Sequence, residues 1–119
     1  MPEYKRITSE FSFMLKPSPI HGVGVFAAHD IAKGVFLAMF AKSDIARLRR
    51  TTDQNYLLVA RYGIPVGKRY LCPPDFRRMS IGWYLNHDRN PNIAHKNYRY
   101  FALKDILVGA ELTVDYSTL

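Results

Sequence analysis

Asn86-His87-Asp88-Arg89-Asn90-Pro91-Asn92 is the stretch that decides the fold of this chain of 119 residues. A second informative stretch, Glu111-Leu112-Thr113-Val114-Asp115-Tyr116, follows near the end, and a glycine turn, His21-Gly22-Val23-Gly24-Val25-Phe26, lies far upstream. Each stretch alone is a weak signal, because Asn, Asp, Pro and Gly are also the residues of ordinary turns. Their order and spacing along one short chain carry the information.

The length and composition predict one folded domain over residues 1–119. Hydrophobic residues make up 48% of the chain, which is enough to form a core. No apolar run approaches the roughly 20 residues of a membrane helix, and no signal peptide is visible. We therefore expect an intracellular protein, whose export to a host would need a route that the sequence does not show. The single cysteine, Cys72, excludes an internal disulfide and a cysteine-built zinc site, so no metal is expected.

The net charge is +7, and the basic residues are clustered along the chain. Such a surface favours nucleic acid or an acidic partner, although a solvated, soluble face explains it equally well. The clusters are Arg47, Arg49 and Arg50, then Lys68 and Arg69, then Arg77 and Arg78.

Short runs of β-forming residues alternate with turn signals and predict a mainly β fold. The predicted strands are Phe11–Leu15, Val23–Ala28, Val35–Ala41, Tyr56–Arg61, Ile93–His95, Tyr98–Ala102 and Glu111–Val114. Two segments have apolar residues at helical spacing, Ser43–Thr52 and Asp75–Leu85. No long βαβ repeat is present, which disfavours a Rossmann fold.

Together the three stretches resemble the SET-domain family of lysine methyltransferases in its smallest form. The family's second motif, Asn-His with Pro-Asn following, matches Asn86-His87 and Pro91-Asn92. Its last motif, Gly-x-Glu-Leu-Thr, two residues and Tyr, matches the chain from Gly109 to Tyr116. The resemblance covers nearly the whole chain. It implies a mainly β, β-clip-like fold of several small sheets and short helices, with a knot-like crossing of the C-terminal segment over the Asn-His segment.

The resemblance implies S-adenosylmethionine as cofactor, with S-adenosylhomocysteine as the product that remains after transfer. In the family a Gly-x-Gly segment lies against the methionine part of the cofactor, a role that falls here on Gly22, Val23 and Gly24. Both glycines permit a positive φ and a close backbone approach to a ligand. The family's Asn and the His backbone hold the adenine and amino-acid ends of the cofactor, which assigns Asn86 and His87 to the same site.

The family's catalytic tyrosine aligns with Tyr116, whose hydroxyl would orient the lysine amine or the methyl group. A lysine amine has a pKa of about 10.4 and must lose its proton to become nucleophilic. A narrow channel with aromatic and apolar walls disfavours the charged form. The resemblance assigns Tyr56, Phe40, Val114 and Tyr116 to this channel. The implied substrate is a lysine ε-amine of a protein, such as a histone or another chromatin protein.

Two other interpretations of the sequence remain open. One is a weakly active SET-like module that recruits partners through its basic surface. The other is a small β-rich nucleic-acid-binding domain, for which the aromatic and basic residues of Tyr98-Arg99-Tyr100 are a hint. Larger family members continue into a cysteine-rich segment that closes the channel, whereas this chain ends at Leu119. We therefore expect either that the lid comes from the partner of a homodimer or from the substrate, or that the chain binds the cofactor weakly.

Overall fold

The computed structural model describes residues 7–40, 49–51, 64–66, 69–72, 80–97 and 99–118. These residues form ten short strands in three small sheets, with single-turn 3-10 helices at Glu10–Ser12, Ile81–Tyr84 and Tyr116–Thr118. Within these ranges no helix has both the length and the apolar character needed to cross a membrane. The mainly β architecture of small sheets and short helices confirms the predicted fold class.

The first sheet has four strands in the order β1 (Phe13–Pro17), β2 (Val23–Ala27), β10 (Glu111–Val114) and β7 (Asn86–His87). β1 and β2 form an antiparallel hairpin, and β10 pairs antiparallel with β2. On its other edge β10 pairs parallel with β7. Strand β10 is therefore internal to the sheet, and its residues Leu112, Thr113 and Val114 are all buried, as expected for a strand that is covered on both faces.

The second sheet has the order β3 (Phe36–Leu37), β9 (Arg99–Ala102) and β8 (Ile93–Lys96). The third sheet has the order β4 (Arg49–Thr51), β6 (Arg69–Cys72) and β5 (Ile64–Val66). All strand pairs in these two sheets are antiparallel. Alternate residues of β9 are buried, namely Tyr100 and Ala102, so one side of the second sheet faces the core.

A single hydrophobic cluster is shared by the first two sheets. Burying an aliphatic side chain stabilises the fold by roughly 1.5–3 kcal/mol, so this cluster fixes β10 and the motif that it carries. The largest fully buried side chains are Ile31, Leu37, Met39, Ile93, Ile106, Leu112, Val25 and Val114.

The strands predicted around β2, β8, β9 and β10 are found within one or two residues of their predicted ends. The first predicted strand begins later, at Phe13, because a capped turn precedes it. The Ser9 hydroxyl accepts a hydrogen bond from the Phe11 N–H at 3.2 Å, and the Ser12 hydroxyl accepts one from the Ser9 N–H at 3.0 Å. This reciprocal pairing is a capping box, which favours a helical turn over an extended start.

Two predicted elements are corrected by the structure. The helix predicted at Ser43–Thr52 is wrong at its end, because Arg49–Thr51 form β4 and pair with β6. The helix predicted at Asp75–Leu85 contains, in its described part, only the 3-10 turn Ile81–Tyr84. The rest of both helices and the predicted strand Tyr56–Arg61 lie outside the described residues.

The strand predicted at Val35–Ala41 contracts to the two residues of β3. Immediately after Leu37 the chain turns, and the Met39 N–H donates to the Leu37 carbonyl at 2.8 Å. This tight turn ends the pairing with β9 and buries Met39 in the core.

Candidate active site

The parallel pair of β7 and β10 brings two of the three motifs into contact. Thr113 lies opposite Asn86 and Val114 lies opposite His87 in this pair. Just beyond it, the Asp88 N–H donates to the Val114 carbonyl at 3.2 Å. The Asn-His segment is thereby fixed beside the strand that leads into Tyr116.

Asn86 connects this pair to the glycine turn. The side chain is buried, with 6% of its surface exposed. Its Nδ2 donates to the His21 carbonyl at 3.0 Å, to the Val23 carbonyl at 3.3 Å and to Glu111 Oε2 at 2.9 Å. Because one amide nitrogen serves three acceptors from two remote segments, it ties the Gly-x-Gly turn to β10.

Glu111 is the acceptor at the centre of this network. The Ser18 hydroxyl lies 2.9 Å from both of its carboxylate oxygens and can donate to either. The same hydroxyl accepts from the Ile20 N–H at 2.9 Å, which holds the loop before the glycine turn. Neither Ser18 nor Glu111 was predicted as a site residue; the only signal was that Glu111 belongs to the last motif.

The two glycines of the turn have different roles, although both residues permit a positive φ. Gly22 has a φ of 44°. Gly24 is a buried residue of the extended strand β2, and a Cβ at this position would collide with the Glu111 carboxylate and come within 3.0 Å of the Ser18 Cβ. Gly24 is therefore required because it makes room for the carboxylate, whereas Gly22 is required by its backbone conformation.

Asn92 holds β10 from the side of the Asn-His loop. Its Oδ1 accepts from the Thr113 N–H at 2.9 Å, and its Nδ2 donates to the Glu111 carbonyl at 2.8 Å. An amide side chain presents the same donor and acceptor pair as a peptide group. Asn92 thus takes the place of a strand residue opposite β10.

Tyr116 begins the last 3-10 turn and contacts the Asn-His segment at two points. Its backbone N–H donates to His87 Nδ1 at 2.9 Å, and its hydroxyl donates to the Leu85 carbonyl at 2.5 Å. The His87 and Tyr116 rings are tilted relative to each other, and their centroids are 5.2 Å apart. Burial raises the pKa of the Tyr116 phenol above its ordinary value of 10.0, so the hydroxyl stays protonated at neutral pH. The side chain is nevertheless 49% exposed, which leaves its ring accessible.

Asp115 adds a negative charge at the edge of the site. Hydrogen bonds from the Ser117 hydroxyl and the Ser117 N–H, at 2.7 and 2.9 Å, hold the pKa of the Asp115 carboxyl below its usual range. The positive charge of Arg89 acts in the same direction. Asp115 Oδ1 lies 3.8 Å from His87 Nδ1. A cationic substrate side chain would therefore meet an ionised carboxylate on this side.

The residues predicted to line a lysine channel are found in different surroundings. Val114 is buried, with 2% of its surface exposed, and lies opposite His87. The ring of Phe40 packs edge-on against Trp83 at 5.3 Å and tilted against Tyr100 at 5.6 Å. Tyr56 lies outside the described residues. Val114 and Tyr116 thus both lie beside His87, whereas Phe40 belongs to an aromatic cluster beside the core.

Two groups of the site are available to a ligand, namely bare backbone at the glycine turn and one amide oxygen. A Cβ at Gly22 would meet open space, so this turn offers bare backbone to a ligand. Because Asn86 Nδ2 is committed to protein acceptors, its Oδ1 is the amide atom that can accept from an ammonium. Among the residues that the structure describes, no group of three or more His, Cys, Asp or Glu side chains could hold a metal ion.

The arrangement of these elements defines a class of small β-rich domain. Its last strand lies beside an Asn-His strand and next to a glycine turn. A sequence model of the SET domain matches residues 22–117, a range that contains Gly22-Val23-Gly24 and both later motifs. The chain belongs to the SET domain family. This confirms the resemblance that the motifs indicated.

One curated relative is similar over most of the chain. The mouse Histone-lysine N-methyltransferase SETMAR is 32% identical over 115 residues, an alignment that covers 81% of this chain. The chain spans only 37% of the length of that relative.

Solved structures share the fold. A Plasmodium falciparum protein solved as a candidate histone methyltransferase matches with a TM-score of 0.55 at 19% identity, over 88% of this chain and 92% of that one. A ctPRC2 structure in an autoinhibited conformation, bound to S-adenosylmethionine, matches with a TM-score of 0.64 at 22% identity, over 88% of this chain and 15% of that one. At these identities the likeness establishes the fold alone.

Proposed function

We propose that the chain is a protein-lysine N-methyltransferase that uses S-adenosylmethionine. The observation that carries the proposal is the Asn86 amide, which joins the glycine turn to Glu111 while its strand pairs with the strand leading to Tyr116. Three motifs that are remote in sequence thereby surround one location. Family membership and the histone-lysine methyltransferase name of the mouse relative support the enzyme over a SET-like interaction module.

The glycine turn and the Asn-His strand would hold the cofactor. S-adenosylmethionine, when bound, supplies a sulfonium methyl group that a neutral lysine nitrogen takes by in-line displacement as the carbon–sulfur bond breaks. Gly22, Val23 and Gly24 offer backbone groups, of which Gly22 faces open space. Asn86 offers its amide oxygen, and His87 offers main-chain groups beside β10.

Tyr116 would orient the amine that accepts the methyl group. Its hydroxyl hydrogen is directed to the Leu85 carbonyl, so the oxygen lone pairs are free to accept an N–H of the substrate. This contact would orient the nitrogen lone pair toward the methyl group and hold the reacting atoms in a fixed geometry. An apolar channel next to Val114 would favour the neutral amine, because burial disfavours a charge.

The substrate would be a lysine of a protein, and a histone or another chromatin protein is the class that the mouse relative suggests. The half-exposed Tyr116 leaves one side of the site open. Either the substrate or a second copy of the chain would cover it, the latter as a homodimer. The net charge of +7 also supports an anionic partner, such as nucleic acid or an acidic protein.

The test is binding and transfer by two matched asparagine variants. Asn86→Ala removes the buried amide, whereas Asn90→Ala removes an exposed one from the same loop. We expect calorimetry to detect S-adenosylhomocysteine binding by the wild type and by Asn90→Ala, and at least about 10-fold weaker binding by Asn86→Ala. Labelled methyl groups should appear on lysines of a histone mixture or of total cell protein.

Circular dichroism of each variant separates lost binding from lost folding. If the folded wild type binds neither the cofactor nor its product, the enzyme proposal fails. Binding without any transfer to protein lysines would instead support the interaction module.

A further inference from the structure

The second sheet has an outer face that departs from the usual pattern of polar residues on the solvent side. Cross-strand pairing sets Phe36 opposite Phe101, Ala94 opposite Phe101, and Lys96 opposite Arg99. These five residues share one side of the sheet, which we call the outer face. The neighbours that point the other way, such as Leu37 and Tyr100, are buried in the core. Phe36 is 50% exposed, so core packing does not account for an aromatic ring at this position of the outer face.

The outer face is concave. A shallow cavity of about 430 Å³ is lined by Gly34, Phe36, Lys96, Asn97, Arg99 and Phe101. This volume is within the range of cavities that hold small organic groups. The turns at Gly34 and Asn97, which have φ values of 84° and 53°, lie at its borders and contribute little side-chain bulk.

The described residues that line this cavity carry charges of one sign. Lys96 and Arg99 are the charged residues among them, and none of them is acidic. The Arg99 guanidinium carbon lies 5.4 Å from the centroid of the Phe36 ring, so the cation is held above an aromatic face. Next to Gly34 in sequence, the Lys33 N–H binds Asp105 Oδ1 at 2.8 Å, which engages the nearby carboxylate.

The outer face is also separate from the candidate active site. His95 belongs to the inward-pointing residues of β8, and its Nε2 lies 2.9 Å from the Thr118 carbonyl. The turn that carries Tyr116 therefore packs against the opposite side of this sheet. A ligand on the outer face would leave the methyl-transfer residues free.

We propose that the outer face binds single-stranded nucleic acid, with an unstacked base on the Phe36 and Phe101 rings and phosphates on Lys96 and Arg99. Exposed aromatic rings beside cations on a sheet are the features that bind single strands without sequence preference. A duplex keeps its bases stacked and cannot use the two rings. An acidic peptide would pair with the two cations but has no flat group that needs both rings. The same surface would accept DNA or RNA.

This site differs from the two surfaces that the sequence indicated. The arginine and lysine clusters from Arg47 to Arg78 have side chains outside the described part of the chain. The hint from Tyr98-Arg99-Tyr100 is corrected in one respect, because Tyr100 is only 3% exposed and packs in the core. Arg99 is the residue of that triplet that lies on the outer face.

The test is fluorescence anisotropy with labelled single strands of about 12 nucleotides, one of thymidine and one of uridine, at two salt concentrations. We expect Phe36→Ala and Phe101→Ala each to weaken binding about 10-fold, and Phe36→Tyr to restore it because the ring is kept. Lys96→Gln with Arg99→Gln should lower the slope of log affinity against log salt by about 1.4.

The chain offers a matched control on the first sheet. Lys16 Nζ lies 5.0 Å from the Phe26 ring centroid, a second cation–aromatic pair at a different site. Lys16→Gln should leave the affinity unchanged, which separates the outer face from general basic charge. The matching duplex and a poly-glutamate peptide should bind more weakly than the single strands, and ultraviolet crosslinks should map to Phe36 or Phe101.

The proposal fails if the wild type binds no single strand, or if the folded Phe36→Ala and Phe101→Ala variants bind as the wild type does. It also fails if the duplex or the acidic peptide binds as tightly as the single strands. A preference between thymidine and uridine strands decides whether DNA or RNA is the source.

Discussion

Asn86 Nδ2 donates a hydrogen bond to Glu111 Oε2 at 2.9 Å, which joins the Asn-His strand to the first residue of β10 across 25 positions of sequence. The same carboxylate is bound by the Ser18 hydroxyl and occupies the space above Gly24. One acid thus aligns the loop before the glycine turn, the turn itself and the strand of Asn86. We therefore regard Glu111 as a positioning residue for the cofactor site.

Replacement of Glu111 by Gln should disturb the site and the fold together. The new amide has one oxygen and one NH₂ group in place of two carboxylate oxygens. Its NH₂ group cannot accept a hydrogen bond, so one of the bonds from Ser18 and Asn86 is lost. We expect the free energy of unfolding to fall by about 1–3 kcal/mol and the affinity for S-adenosylhomocysteine to fall as well. Denaturant titration and calorimetry measure the two effects.

Asp105→Asn is the control, because the Asp105 carboxylate also accepts a hydrogen bond, in its case from the Lys33 N–H, but lies away from the glycine turn and β10. It should lower stability without changing the affinity. Equal affinity in wild type and Glu111→Gln would contradict the positioning role.

Gly24→Ala should be more damaging to binding than Gly34→Ala. The added Cβ at position 24 collides with the Glu111 carboxylate, and overpacking of this kind costs about 1–3 kcal/mol. At Gly34 the added Cβ meets open space, but the φ of 84° is strained for alanine. Both variants should therefore lose stability in thermal unfolding, whereas calorimetry should find weaker cofactor binding in Gly24→Ala alone. Unchanged affinity in Gly24→Ala would mean that the turn tolerates displacement of Glu111.

Tyr116→Phe should slow methyl transfer while leaving cofactor affinity nearly unchanged. The hydroxyl that contacts the Leu85 carbonyl would orient the amine mainly in the transition state, and loss of one such contact costs on the order of 10²-fold. Single-turnover rates with radiolabelled cofactor measure the effect, and the melting temperature reports whether the variant is folded. A normal rate in the folded variant would move the catalytic centre away from Tyr116.

His87 should matter through its Nδ1 acceptor. The Tyr116 N–H donates to this atom, so the ring nitrogen must be unprotonated to hold the last turn. His87→Ala should lower kcat more than it raises KM for the cofactor, whereas His87→Asn, which keeps a short-range acceptor, should retain part of the rate. Single-turnover rates of the two variants and the wild type measure the effect. A folded His87→Ala variant with the wild-type rate would rule out this role.

Alkaline pH should destabilise the fold through Tyr116. Burial raises the pKa of this phenol in the folded state above 10.0, so the folded state keeps its proton when the unfolded state loses it. Stability from this difference is fully present below the unfolded pKa of about 10 and is lost as pH rises toward the folded pKa. Urea unfolding at about pH 9 and pH 11 should give a smaller decrease in Tyr116→Phe than in the wild type. An equal decrease would assign the effect to other tyrosines.

Much of the fold follows from patterns that are local in sequence. The alternation in Arg99–Ala102 and the β-forming residues of Glu111–Val114 predict strands that the structure contains. Arg49–Thr51 was predicted as helix, since its flanking residues have helical spacing; pairing with β6 overrides that preference. Pro65 indicates a turn, yet it is accommodated because β5 is an edge strand of its sheet.

The candidate site is predictable only where a residue belongs to a motif. Asn86 and Tyr116 stand in such motifs, and the structure brings their segments together. Ser18 stands in no motif, and its bond to Glu111 spans 93 positions, a contact that no local pattern encodes. The exposure of Phe36 is likewise not predictable from the sequence, because a phenylalanine in a strand is ordinarily interpreted as a core residue.

The position of β10 between β2 and β7 has a consequence for the order of folding. The β1–β2 and β8–β9 hairpins pair residues that are close in sequence, whereas the pair of Glu111 with Phe26 closes a loop of most of the chain. Contacts of such long range form slowly, because loop closure costs entropy before the contacts stabilise anything. The candidate active site should therefore be assembled in the last step of folding. A cofactor that binds only the finished site would slow the reverse of that step, in which β10 separates from β2 and β7.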